Sequence, residues 1–195
     1  MNYCEKDFTD QIRKKLSSRQ RRVIEHPTFS HAAVLVPLFQ KGGDCHLLFT
    51  KRSEEVKYHK GEISFPGGVV DEEDRELINT ALREASEEIG LKEGDVQIIG
   101  VLDDIVTITE FIVTPIVGLF PYPYPFRVSE VEIAELIEVP LAFLLVEDNL
   151  SEREIFRGGQ KEVVYAYQYG KHTIWGATAR ILKQFLDLIS PPTVT

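Results

Sequence analysis

Glu84, Glu87 and Glu88 fall within five residues of the stretch REASEEIGL, Arg83 to Leu91. The apolar spacing before them is that of a helix. On a wheel at about 100° per residue, Leu77, Ile78, Ala81, Leu82, Ala85 and Ile89 cover an arc of roughly 140°, the face that should meet a sheet. Glu84 falls about 20° outside that arc, Glu88 about 20° inside it, and Glu87 about 60° beyond Glu84. Like charges at i, i+3 and i, i+4 repel by about 0.2–0.5 kcal/mol per pair. The C-terminal end of a helix disfavours each anion by a further ~0.3–1 kcal/mol. One arginine, Arg83, does not neutralise three acids. A solvated, salt-bridged surface would bear these modest penalties. A hard divalent cation, Mg²⁺ or Mn²⁺, would remove them, because carboxylate oxygens are its natural ligands. The helix alone leaves both readings open.

Other elements must hold such a helix in place. The sequence predicts a helix from about Asp74 to Ile89, ended by Gly90 in left-handed geometry. Ahead of it, SFPGG (64–68) sets a proline and two glycines where backbone can approach an anion or lend a carbonyl to a metal. Residues 31–40 and 45–53 read as a β-hairpin turning at Gly42 and Gly43. The runs 96–108 and 111–120 read as paired strands, and residues 130–144 as a strand up to Pro140 followed by one helical turn. A further hairpin is expected about Gly158 and Gly159, a C-terminal helix over 173–189, and an amphipathic N-terminal helix over 5–22. The order predicts an α/β chain of α+β type, a mixed sheet sandwiched between helices, as a single domain over 1–195.

Together, GGVVDEEDRELINTALREASEEIGL (67–91) resembles the signature of the Nudix hydrolases. Gly68, Arg83, Glu84, Glu87, Glu88, Gly90 and Leu91 occupy matching positions. Asp74 stands where that signature has glutamate, eight residues and not seven separate it from Arg83, and Ala85 fills an aliphatic position. Upstream, FTKRSEEVKYHKGEISFPGG (49–68) resembles the added pattern of the coenzyme A diphosphatase branch through Thr50, Arg52, Ser53, Gly61, Phe65, Pro66, Gly67 and Gly68. Lys57 replaces the usual arginine and Phe49 a leucine. IWGATARIL is similar to that branch's closing helix, so the resemblance spans about residues 30–185.

The resemblance implies a metal-dependent hydrolase in which water attacks phosphorus. It implies Mg²⁺ or Mn²⁺ held by Glu84, Glu87 and Glu88 with the Gly68 carbonyl, and Arg83 orienting a glutamate or reaching phosphate. The general base stays open among Glu87, Glu88 and a later-loop glutamate, Glu130, Glu132 or Glu135. Arg52, Lys57, His59, Ser64 and Gly67 are the expected substrate-binding residues. Arg52, Lys57, His59 and Lys60 form a basic stretch suited to a phosphate-rich ligand such as coenzyme A. Tyr58 and Phe65 could stack on adenine or pack in the core. The expected products are adenosine 3′,5′-bisphosphate and 4′-phosphopantetheine. The alternatives are another nucleoside diphosphate derivative (ADP-ribose, a dinucleotide or a nucleoside triphosphate) or a non-catalytic nucleotide-binding module.

Bulk properties set limits on partners. A net charge of −9 disfavours nucleic-acid or anionic-membrane binding through bulk charge. Cys4 and Cys45 lack metal-ligand spacing and read as ordinary thiols of a reducing compartment. The start MNYCEKDFTD has no apolar core of a secretory leader, and no run approaches the roughly 18 apolar residues of a membrane helix. A cytoplasmic enzyme of small molecules is expected, with a homodimer open to it.

Overall fold

The computed structural model describes residues 6–157 and 160–190. Its elements run α1 (Lys6–Ser17), β1 (Ser30–Lys41), β2 (Asp44–Arg52), β3 (Ile63–Ser64), β4 (Gly67–Val69), α2 (Leu77–Ile89), β5 (Gln97–Val101), β6 (Ile105–Val106), β7 (Phe111–Leu119), β8 (Ile133–Pro140), α3 (Leu141–Leu144), β9 (Leu150–Arg157), β10 (Gln160–Tyr169), β11 (His172–Trp175) and α4 (Gly176–Ile189).

Strand β1 is the spine of an eight-stranded mixed sheet. It pairs parallel to β7 from Ser30↔Phe111 to Leu38↔Leu119. Its other edge is shared: β2 takes Leu38–Lys41 in the expected hairpin, and β4 takes Ala32–Val34. β1 is apolar on both faces, as a central strand covered on both sides must be. Ala33, Leu35 and Phe39 pack with Ala81, Leu82, Ala85 and Ile89 of α2. Val36 and Leu38 share the opposite core with Ile12 and Leu16 of α1 and with Leu182 and Phe185 of α4. The expected sandwich of a mixed sheet between helices is therefore what forms. A separate three-stranded antiparallel sheet, β9–β10–β11, packs with α4 through Tyr167 and Ile174.

Several expectations need correction. The N-terminal helix ends at Ser17, because the arginines that follow reach across the sheet: Arg19 pairs with Asp103, and Arg21 with buried Asp104 at 2.5 Å. Helix α2 begins at Leu77 and not Asp74, since the Asp74 carboxylate closes a tight turn by accepting the Asp71 N–H at 2.9 Å. The C-terminal helix starts at Gly176, whose φ of 65° breaks the chain direction. Thr173–Trp175 instead complete β11 against β10. The turn at Gly158 and Gly159 lies outside the described residues, although β9 and β10 flank it as a hairpin. Cys45 is buried, and Cys4, the other thiol of that expectation, lies outside the described residues. Among the described residues no helix is long and apolar enough to cross a membrane.

Candidate active site

The last turn of α2 carries the glutamates, and its end is fixed from outside the helix. Gly90 takes left-handed geometry (φ 70°, ψ 19°), and its N–H closes onto the Ser86 carbonyl at 3.0 Å. A Cβ there would also stand 2.9 Å from the Arg127 backbone, so glycine is required twice over. The proline-punctuated segment 121–129 donates to helix carbonyls that would otherwise be orphaned. Arg127 N–H meets the Ile89 carbonyl at 3.0 Å, and Ser129 N–H meets that of Glu88 at 2.8 Å. Ser53 ties the same loop from the other side. Its N–H donates to the Glu132 carbonyl at 2.8 Å, and its hydroxyl to that of Val131 at 2.5 Å. Glu132 is thereby carried to the acidic end of the helix.

Arg83 is the hub of the cluster. Its Nε and one terminal nitrogen donate to the two oxygens of Asp74 at 3.2 and 3.0 Å, a two-pronged pairing. It also donates to the Val69 carbonyl at 3.1 Å, to Glu84 Oε1 at 2.9 Å and, weakly, to Glu87 at 3.4 Å. The Arg83 bonds hold Asp74 down to about 2, and Asp74 in turn holds Arg83 above its ordinary value. Sequence reasoning left Asp74 without a role. The signal was present: it matches the first acidic position of the signature, displaced by one residue.

Glu88 is the most constrained acid. It is 3% exposed, and its Oε2 has no hydrogen-bond partner. Burial pushes it up to about 8 against the pull of Arg52, and the charges of Glu84 and Glu132 add to the rise. The Gly67 N–H works the other way by donating to it. Arg52 stands 3.8 Å from Glu88 Oε1, too far for a direct hydrogen bond. Burial also pushes Glu84 up against Arg83, with Glu87 and Glu132 adding to it. Gly68 lies so close that a Cβ there would be 2.4 Å from the Glu84 carboxyl. Glu87 points outward, its side chain 58% exposed.

The three glutamates do not converge as expected. Among the described residues no three His, Cys, Asp or Glu side chains form a group able to hold an ion, because Arg83 draws Glu84 and Glu87 towards itself. The donor set nonetheless fits a hard cation: Glu88 presents a buried oxygen with no partner, and Glu84 an acid that burial makes costly to ionise. Of the later-loop glutamates, Glu132 is the one whose charge reaches both Glu84 and Glu88. Glu135 faces away, paired with Lys171 at 3.4 Å and His172 at 3.3 Å.

The expected substrate residues divide. Arg52, His59, Ser64 and Gly67 line a cavity of about 390 Å³ beside Glu88, walled on its far side by β10, β11, the start of α4 and the β6–β7 loop. His59 is held there at a φ of 58°, its Nδ1 3.0 Å from Glu62. Ser64 is tied to Thr50 across β2–β3 at 3.2 Å. Lys57 is not brought to the cavity wall; it is exposed and lies over the Tyr58 ring, itself 64% exposed. Phe65 is buried, stacking on Phe49 at 4.6 Å, so core packing is its role here. The far wall was missed, because nothing local in the sequence ties residues 106–109 or 162–181 to Arg52.

Three comparisons bear on this arrangement. The NUDIX domain family model matches residues 29–157. A curated protein of Photorhabdus laumondii, uncharacterized Nudix hydrolase NudL, is 38% identical over 183 residues, 94% of this chain and 96% of that one. A protein of the same name from Escherichia coli strain SMS-3-5 is 38% identical over 166 residues, 84% of this chain and 86% of that one. Among solved structures, a MutT/nudix family protein from Enterococcus faecalis matches with a TM-score of 0.52 at 15% identity, over 95% of this chain and 75% of that one. A NUDIX hydrolase from Alicyclobacillus acidocaldarius gives 0.52 at 17% identity, over 84% and 93%. At those identities the structures speak for the fold.

Proposed function

The chain belongs to the Nudix hydrolase family, and on that premise we propose that it cleaves the diphosphate bond of coenzyme A or its derivatives, releasing adenosine 3′,5′-bisphosphate and 4′-phosphopantetheine species. The observation that carries the reading is what the coenzyme A branch residues do. Ser53 fastens the Glu132 loop, Thr50 fastens Ser64, and Arg52 stands between Glu88 and the cavity. They build one wall of one site, so the upstream resemblance falls on a working part of the molecule.

Glu84, Glu87 and Glu88, with the Gly68 carbonyl, would hold Mg²⁺ or Mn²⁺. A bound divalent ion supplies charge neutralisation on the diphosphate and acidifies its water ligand. The chain's own groups do the rest. Arg83, clamped by Asp74, fixes the orientation of Glu84. Arg52 binds a phosphate oxygen at the border of the cavity. Glu132, exposed on its loop, takes the proton from the attacking water; the oxygen joins phosphorus as the anhydride P–O bond breaks.

The test incubates purified protein with coenzyme A, ADP-ribose and NADH plus Mg²⁺ or Mn²⁺ and separates the products. Adenosine 3′,5′-bisphosphate from coenzyme A is expected. Turnover of another substrate while coenzyme A stays intact would overturn the assignment, and no turnover at all would make the chain a binding module.

A further inference from the structure

Arg52 and Gly67 serve two places. Both touch Glu88, Arg52 through its guanidinium at 3.8 Å and Gly67 through its N–H, and both form the near wall of the cavity of about 390 Å³. The cavity therefore opens beside the carboxylate at which cleavage is proposed. Beyond Arg52 much of its wall is aliphatic, with Val34, Ile63, Val113, Val164 and Ile181 contributed by five different elements. Three more wall residues leave apolar surface in water: Ile108 is 75% exposed, Trp175 50% and Val163 39%. One such residue needs no explanation, but three on the rim of one cavity mark a binding surface.

Away from Arg52, the groups on the same wall argue against an anion there. His59 is bonded to Glu62, and Arg180 donates to the Val106 carbonyl at 3.2 Å. Glu62 and Glu162 add two carboxylates. A phosphate monoester seated in this part of the cavity would be desolvated beside acids, with the His59 and Arg180 side chains already engaged.

We propose that this cavity receives the non-nucleotide arm of the substrate and that the arm it selects is apolar, so that diphosphates carrying an alkyl or acyl chain are preferred over those without one. The 3′-phosphoadenosine end of a coenzyme A thioester then lies outside the cavity, and the acyl end within it. The inference rests on cleavage of a diphosphate beside Glu88, and not on coenzyme A being the diphosphate.

Two substrate series separate the two readings. The first is ADP esterified on its β-phosphate with methyl, butyl or octyl groups; the second is free, acetyl-, butanoyl- and octanoyl-coenzyme A. In the first, the water oxygen bonds to phosphorus, the anhydride P–O bond breaks, and AMP and an alkyl phosphate leave with the protons of water shared between them and solvent. A rise in kcat/KM of at least tenfold from methyl to octyl, carried mainly by KM, is expected, and a parallel rise from acetyl to octanoyl. Val164→Asp and, on the exposed rim, Ala177→Trp should both flatten that rise to within twofold, in protein whose thermal melting shows that it folds.

Trp175, the single tryptophan of the chain, supplies a readout independent of turnover. Its fluorescence should respond to the octyl ester at concentrations at least tenfold lower than to the methyl ester. A rise along the ADP esters with coenzyme A species left intact would sink the coenzyme A assignment and keep the apolar arm. Cleavage of coenzyme A species with no dependence on chain length, or equal Trp175 titrations for methyl and octyl esters, would sink the apolar arm alone.

Discussion

Replacing Glu88 with glutamine keeps its shape and removes its charge. The unpartnered Oε2 at a 3% exposed position is the best-placed oxygen of the chain for a cation, so Glu88→Gln should lower kcat by about 10²–10³-fold. Because burial pushes this carboxyl from 4.5 up to about 8, the stability its neutral form confers is lost as pH rises from the ordinary carboxylate range through about 8, and glutamine removes that loss. The variant's Tm in EDTA should therefore equal or exceed the parent's; a drop of several degrees would contradict the assignment. Asp74 has the opposite sign. Its folded value is lowered from 3.8 to about 2, so its pairing with Arg83 stabilises the protein above the unfolded value and fades as pH falls through the folded one. Asp74→Asn should cost ~1 kcal/mol in urea unfolding at pH 7, and the difference should shrink below pH 3.8 and vanish only below about pH 2. Glu88's burial was legible in the sequence, since angular position on a helix depends on spacing alone. Asp74's role was not, because its bond to Arg83 depends on how a turn folds back across nine residues.

The ends of elements show the same division. The stop of α2 at Gly90 was legible, since glycine at that position has a backbone reason. Its start was missed by three residues because Asp74 satisfies the backbone of a turn before the helix begins. The second constraint on Gly90, contact with Arg127, belongs to tertiary structure. Gly90→Ala should thus cost ~1–2 kcal/mol in denaturant unfolding. It should also lower kcat severalfold by shifting the loop that brings Glu132 to Glu88, whereas a purely local cost would leave kcat unchanged. Glu132→Gln tests that loop directly, with a fall in kcat of about 10²–10⁴-fold and little change in KM. A comparable loss from Glu135→Gln and none from Glu132→Gln would reverse the choice between them.

At the scale of the whole molecule, the acidic helix, the glycines before it and most strands could be read from local patterns, because the chemistry sits within one contiguous stretch. The cavity could not, since its walls come from β1, β3, β7, β10, β11 and α4 and meet only when the two sheets and α4 assemble. A cation bound only by the folded form links the site to global stability. Mg²⁺ or Mn²⁺ at about 100 times its Kd should add ~2.7 kcal/mol to unfolding, and EDTA should abolish both that gain and turnover. Equal Tm with and without the ion would separate the acidic cluster from metal binding. The parallel pairing of β1 with β7 carries a consequence for the newborn chain. Ser30 lies beside Phe111, so the sheet that seats α2 is incomplete until the polypeptide has grown past Leu119. Helix α2 thus leaves the ribosome with its partner strand β1 already made but lacking its parallel neighbour β7, and assembly waits on the closing of a long loop. The rate of that closure, and not the propensity of the acidic helix, should set how fast the enzyme matures and how long it stays exposed to aggregation during synthesis.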